Sequence, residues 1–285
     1  MISPMTSGEL MRHVAVFRWH HKATAETITT APLPDGRVVA VPTFVNEFWT
    51  SRQRAAHSLH EISYRACFKP QLPRFFIDRL TEPGAAVYDP FSGRGTTPLE
   101  ASLAGRMPAA CDVNPLSAIL LAPRLEPPSL DEVERRLDAI DLEAGGRTRR
   151  DLEVFFHPET LREIAALRAY LLEREASGTL DAADRWIRMV AVNRLTGHSA
   201  GFLSVYTLPP NQAASIASQR KINEARRQVP SRRSLRAVVL KKTQTLTKDL
   251  TAEDRRVLAR AAARARIITR PAHDTPDIGD GSVDL

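Results

Sequence analysis

Apolar and polar positions alternate with a different rhythm in each third of the chain. Residues 1 to about 55 mix short apolar runs with Pro32, Pro34 and Gly36, and no helix or strand period can be read there. Gln71 to Leu80 then carries Leu72, Phe75, Phe76, Ile77 and Leu80 behind Pro70, a spacing that predicts a short helix with one buried face, stopped by Glu82-Pro83-Gly84. The run AAVYD is short, apolar and ends on a carboxylate; it leads into PFSGRG and then TTPLEASLAG, which reads as a buried strand, a glycine loop and a helix. Thr96 or Thr97 is expected to cap that helix, Pro98 is tolerated in its first turn, and Gly105 ends it. MPAACD predicts a second strand ending on Asp112, followed by a helix from about Pro115 to Leu121. Strand, helix, strand, helix opens a parallel α/β sheet.

From Glu126 to about Ala262 the period becomes helical: Leu130, Val133, Leu137 and Ile140, then Leu161, Ile164, Leu167 and Leu171, fall three and four apart. ARIITRPAHD predicts a strand running to Asp274, and GDGSVDL the opening of one more strand. With no internal repeat or low-complexity tract, the chain divides into a segment 1–55 of unread role, a first half of the sheet domain at 56–125, a mainly helical insertion at 126–262, and a return to the sheet at 263–285.

Hydrophobic residues at 43% and charged residues at 26% are those of a folded globular chain, which excludes disorder throughout its 285 residues. Cys67 and Cys111 form neither a disulfide framework nor a CxxC pair, so a reducing, cytoplasmic setting is expected. No run approaches the length of a signal-peptide core or a membrane span, and no membrane partner is expected. His20, His21, His57 and His60 lack acidic or cysteine partners at ligand spacing, so no metal is expected either. The net charge of +7 is unevenly placed: Ser218 to Arg270 holds 16 Lys and Arg against 4 Asp and Glu, a surplus larger than that of the whole chain. Such a segment either faces a polyphosphate partner or is a solvated basic helix surface.

The stretch VYDPFSGRGTT has the parts of a ligand site at the carboxyl end of a strand, with Gly93 and Gly95 allowing a sharp turn and close approach of a ligand to the main chain. A dinucleotide fingerprint would need glycine where Pro98 stands, and a phosphate-binding P-loop would need lysine after Gly95. Both are excluded. The residues DPFSGRGTTPLEA, then GR, then CDVNPLSA resemble the cofactor-binding motifs of amino-group DNA methyltransferases, those of N6-adenine and N4-cytosine, whose usual form is DPFxGxGTT, LEA, GR and an acidic residue followed by NP. The upstream HSLHEISYRACFKPQLPRFFI is similar to the motif that holds the methionine end of the cofactor in some members. The resemblance covers about Ser58 to Leu121, and more weakly Asp274 to Leu285.

This resemblance implies a Rossmann-like methyltransferase sheet, S-adenosyl-L-methionine as cofactor and duplex DNA as partner, as in restriction-modification systems. Asp89, Pro90, Phe91, Gly93, Gly95 and Thr96 would line the methionine part of the cofactor. Asp112, with Asn114 beside it, would accept from the ribose hydroxyls, and Asp274 from the adenine amino group. Such enzymes carry a catalytic tetrapeptide, Asp, Asn or Ser followed by Pro-Pro and an aromatic residue. Neither Glu126-Pro127-Pro128-Ser129 nor Leu208-Pro209-Pro210-Asn211 has that form. The expectation is therefore an incomplete sheet and no catalytic residue in the chain, the missing strand belonging to a longer parental sequence, a second chain or a lost gene segment. Within the insertion, Phe202, Tyr206 and the cations Arg220, Lys221, Arg226, Arg227, Arg232 and Arg233 form a candidate DNA-contact region, with structural cover as the alternative. An RNA guanine methyltransferase and a non-catalytic cofactor- or DNA-binding subunit remain as other readings.

Overall fold

The computed structural model describes residues 4–19, 21–47, 56–64, 67–208 and 214–285. Helix α1 (Ser7–Val16) starts at Thr6, whose hydroxyl accepts the Glu9 N–H while the Glu9 carboxylate accepts the Thr6 N–H. Two-residue strands β1 (Arg18–Trp19) and β2 (Lys22–Ala23) follow, and then an antiparallel hairpin of β3 (Ala25–Pro32) and β4 (Val38–Val45). Most hairpin residues are exposed on both faces. With neither face buried, no alternation of apolar and polar positions is imposed on the sequence, which is why this segment is unreadable from periodicity.

The central unit begins with α2 (Gln71–Leu80), β5 (Ala86–Asp89), α3 (Thr96–Leu103), β6 (Met107–Asp112) and α4 (Leu116–Leu125), close to the expected bounds, with α4 running one turn further. Among the described residues six α-helices follow: α5 (Leu130–Ala139), α6 (Pro158–Ala176), α7 (Ala182–Arg194), α8 (Ile216–Arg226), α9 (Leu235–Thr247) and α10 (Ala252–Ala262). Their starts are written in side chains: reciprocal caps of Ser129 with Glu132, Asp181 with Asp184 and Thr251 with Asp254, and Pro158 in the first turn of α6. Strand β7 (Arg266–Thr269) then returns to the sheet.

β5, β6 and β7 form a parallel sheet with β6 in the middle. The four interior residues of β6 are buried, as a strand covered on both sides must be. Asp284 and Leu285 lie along the other edge of β5: Leu285 N–H donates to Ala86 O at 3.3 Å and Leu285 O accepts from Tyr88 N–H at 2.8 Å, bonds one residue either side of Val87, the pattern of a parallel neighbour. The chain therefore adds β6 and β7 on one side of β5 and its last residues on the other. Ligands bind in doubly wound sheets where the order reverses in this way, at the carboxyl ends of the strands.

α3 packs on β5 and β6, between α2, α4 and α10, and α10 reaches β6 as well. One buried cluster runs from Leu59, Leu99 and Ala110 through Leu121 and Trp186 to Val239 and Leu258, so the helices after α4 share their core with the sheet. Within it Trp186 donates from Nε1 to Thr243 Oγ1 at 3.0 Å, and the fully buried Asp184 is met by the guanidiniums of Arg136 and Arg174.

Two further guanidiniums hold main chain rather than carboxylates. Arg124, fully buried, donates to Leu59 O at 3.2 Å, Leu120 O at 2.8 Å and Arg94 O. Arg94 donates to His60 O and Ile62 O, both at 3.1 Å, and to Thr96 Oγ1. Burial, reinforced by Arg94, pulls Arg124 down to about 9, which leaves it cationic at neutral pH. Beside them His60 faces Glu100 at 2.7 Å; burial pushes the imidazole below its usual range while Glu100 opposes. A neutral ring donating from Nε2 fits this site, because Nδ1 has no hydrogen-bond partner.

α3 is capped not by Thr96 or Thr97, as expected, but by the backbone of Gly95, which is left-handed at φ 79° with no side-chain cap. The Thr96 hydroxyl is instead bonded to Arg94 Nε. A Cβ at position 95 would stand 2.8 Å from Leu121 Cδ1 and 3.1 Å from Leu121 Cβ, and the second contact cannot be relieved by a new rotamer. Gly95→Ala combines this overpacking with left-handed strain, so it is expected to destabilise the chain by about 2–4 kcal/mol. The urea unfolding midpoint measures it, and an unchanged midpoint would refute the packing described for Gly95.

Candidate functional site

The loop after β5 is fixed through its main-chain N–H groups. Asp89 Oδ1 accepts the Phe91 N–H at 3.0 Å, Ser92 N–H donates to Cys111 O at 3.0 Å, and Gly95 N–H closes on Ser92 O at 2.6 Å. Ser92 Oγ and Ser117 Oγ meet at 2.9 Å in the interior, joining the loop to α4. Register places Asp89 opposite Ala110, so Asp112 projects two residues, roughly 6.6 Å, further along the sheet.

Asp112 organises the edge. Its Oδ2 accepts the Gly93 N–H at 2.7 Å and its Oδ1 accepts the Asn114 N–H at 2.8 Å. A carboxylate has about four acceptor positions, so each oxygen keeps one for a ligand hydroxyl. Asn114 Oδ1 in turn accepts the Leu116 N–H at 3.0 Å and starts α4. Gly93 is left-handed at φ 52°, and a Cβ there would stand 3.2 Å from Tyr64 Cε1, so the Tyr64 ring lies against the loop. Burial and the Asp112 charge raise the Tyr64 phenol above its usual range, while a hydrogen bond to Asn114 opposes them. Phe91 and Val113, each close behind a strand-end carboxylate, are 77% and 71% exposed.

A pocket of about 280 Å³ opens beside this cluster, lined among others by Tyr64, Asn114, Leu120 and Asn193. Asn193, near the end of α7, is pinned to Ser63 by two bonds, Nδ2 to Ser63 O at 2.8 Å and Ser63 N–H to Oδ1 at 3.2 Å. The structure thus brings Asp89, Pro90, Phe91, Gly93, Asp112 and Asn114 to one edge. Gly95 and the buried Thr96 lie behind the loop, in contact with Leu121 and Arg94.

Asp274 is placed differently from expectation. The strand meant to reach it ends at Thr269, which stands opposite Asp112, because Pro271 has no N–H to extend the ladder. Asp274 is an exposed turn residue 3.7 Å from Arg270. In the candidate DNA-contact region, Phe202 is buried under the Arg194 guanidinium at 4.4 Å, and the half-buried Tyr206 lies 3.7 Å beneath Arg226. Arg227 ends α8 in a left-handed turn, Arg232 is paired with Glu159 at 2.7 Å, Arg233 donates to Ala200 O, and Arg220 and Lys221 are exposed. Both aromatic rings are thus committed to internal contacts. Pro127 and Pro128 are buried at the start of α5, where Pro127 O accepts from Arg255, while Pro209 and Pro210 lie outside the described residues.

Sequence reasoning missed Arg94, Arg124, Tyr64 and Asn193. Arg94 stands at a variable place in the motif, and Asn193 comes from a helix 79 residues beyond Asn114, so only the fold reveals either. Among the described residues no group of three His, Cys, Asp or Glu could hold a metal ion, and no helix is long and apolar enough to cross a membrane. No curated protein and no solved structure significantly matches the chain. Residues 35–117, which include the glycine loop, Asp112, Asn114 and Tyr64, match the N6/N4 family model described as DNA methylase, and this match supports an amino-methyltransferase family for that part of the chain.

Proposed function

We propose that the carboxyl edge of β5 and β6 binds S-adenosyl-L-methionine and that the chain serves methylation of an exocyclic amine in duplex DNA. The observation that carries this reading is the Asp112 carboxylate, which ties the glycine loop to the start of α4 and keeps an acceptor free on each oxygen, inside the residues that match the DNA methylase family. Asp112 would take the ribose hydroxyls, held in place by the Gly93 and Asn114 N–H groups. Asp89, Pro90, Phe91 and Gly93 would line the methionine part, and the exposed faces of Phe91 and Val113 offer apolar surface to a flat base. The cofactor, when bound, supplies an electrophilic methyl group. Asp274, an exposed turn residue beyond the strand end, has no part in this reading.

Asp112→Ala is expected to lower S-adenosyl-L-methionine affinity ten- to a hundredfold, since hydrogen bonds to a charged group contribute about 1.5–3 kcal/mol. Calorimetric titration of variant and parent checks it, with circular dichroism to establish that both are folded. Equal affinities in folded proteins would remove the ribose role.

Methyl transfer also needs the amine held in line with the methyl group, and that orientation supplies a large part of the rate. The chain's two proline pairs lack the aromatic neighbour of the tetrapeptide that the resemblance calls for, and Pro127-Pro128 is buried at a helix start. The expected outcome of a tritiated-methyl assay on mixed duplex DNA is therefore no transfer by these residues alone. Robust transfer would show that other side chains of the chain do the positioning.

A further inference from the structure

A second pocket, of about 470 Å³, lies between the end of α7 and the first turns of α9, with Arg194, Arg232, Arg233, Lys241 and Lys242 in its wall. Arg232 is already met by Glu159 at 2.7 Å and Glu163 at 3.8 Å. The other four have no carboxylate within ion-pair distance among the described residues. Arg194 donates from Nη2 to Asn193 Oδ1 at 2.9 Å, and its Nε is buried with no hydrogen-bond partner. The Arg233 guanidinium donates to Ala200 O at 3.1 Å. Burial, and then the charge of Arg194, pulls the Lys242 ammonium down to about 8; Glu61 opposes, but that carboxylate is held by Lys248 at 2.7 Å.

Four cations around one cavity repel one another, and for the partly buried Arg194 and Lys242 burial removes water that would screen them. An oxyanion relieves both costs, and phosphate is the anion that arginine forks and lysine point charges share most readily. The pocket's position says which phosphate. Arg194 lines this cavity, while its neighbour Asn193 lines the pocket beside Tyr64 and Asn114. The last turn of α7 thus lines both pockets, so a chain that carries a phosphate and extends beyond it could reach from one to the other.

We propose that the pocket between α7 and α9 seats a backbone phosphate of the polynucleotide substrate through Arg194, Arg233, Lys241 and Lys242. The assignment rests on the nucleic-acid substrate of the proposed function and moves the electrostatic contact away from Arg232, whose charge is met by Glu159 and Glu163.

The test is fluorescence anisotropy of the full chain with a fluorescein-labelled mixed-sequence duplex over a range of salt. Lys241→Gln with Lys242→Gln is expected to lower the slope of log affinity against log salt by about 1.8, and Arg233→Gln by about 0.9. Arg232→Gln, whose charge is already met, is expected to move the slope less than either. Arg233→Gln keeps the test decisive if circular dichroism shows the lysine pair variant unfolded. Slopes that match the parent in the folded variants would overturn the pocket. Calorimetric binding of inorganic phosphate without any binding of duplex would overturn the polynucleotide assignment, as would binding of neither. Cofactor titration of the parent chain reports separately on the proposed function, so the two readings fail independently.

Discussion

Two guanidiniums that grip main-chain carbonyls hold the site together. Arg124 spans Leu59, Leu120 and Arg94, and Arg94 spans His60 and Ile62, so the segment before the sheet, the glycine loop and α4 are joined at one buried point. Carbonyl oxygens do not neutralise a cation. The arrangement stands because each guanidinium nitrogen of Arg124 finds an acceptor, and because loss of a donor would strand buried oxygens at about 1–3 kcal/mol each. Tyr64 follows directly from the clamped residues, and this is how its ring comes to lie against Gly93 and its hydroxyl to reach Asn114.

The same chain uses arginine in a second way among the later helices. Asp184, fully buried, sits between Arg136 and Arg174 and links α5, α6 and α7, a pair geometry in which each charge is answered. The wall between α7 and α9 lacks such answers. Arg194, Arg233, Lys241 and Lys242 converge there without acids, whereas Arg236 sits between Glu134 and Asp138.

Sheet order brings these features to one side. β6 and β7 extend from one edge of β5 and Leu285 from the other, so the loop after β5 lies at the reversal of strand order. Asp112 reaches about two residues past Asp89 and bridges to that loop, and α7 closes the edge through Asn193 and Ser63. A helix from the long stretch between β6 and β7 is therefore part of the site wall, and the continuous core from Leu99 to Leu258 holds it there.

Sequence alone determined the elements whose cause is local. Gln71–Leu80 has one apolar face, AVYD and MPAACD are buried runs ending on acids, and Ser129, Asp181 and Thr251 carry their own capping partners three residues on. Gly93, Asp112 and Asn114 were legible for the same reason, since a tight loop and a strand-end acid lie within one short motif. Tertiary structure decided what depends on distant partners. It gave the cap of α3 to Gly95 because Thr96 is taken by Arg94, and it stopped β7 at Thr269, leaving Asp274 in a turn. It turned Phe202 and Tyr206 inward beneath arginines and gathered four cations without acids from the end of α7, the approach to α9 and the middle of α9. Charge counted along a sequence cannot distinguish a paired arginine from a free one, because the pairing acid comes from another helix and only packing brings it near.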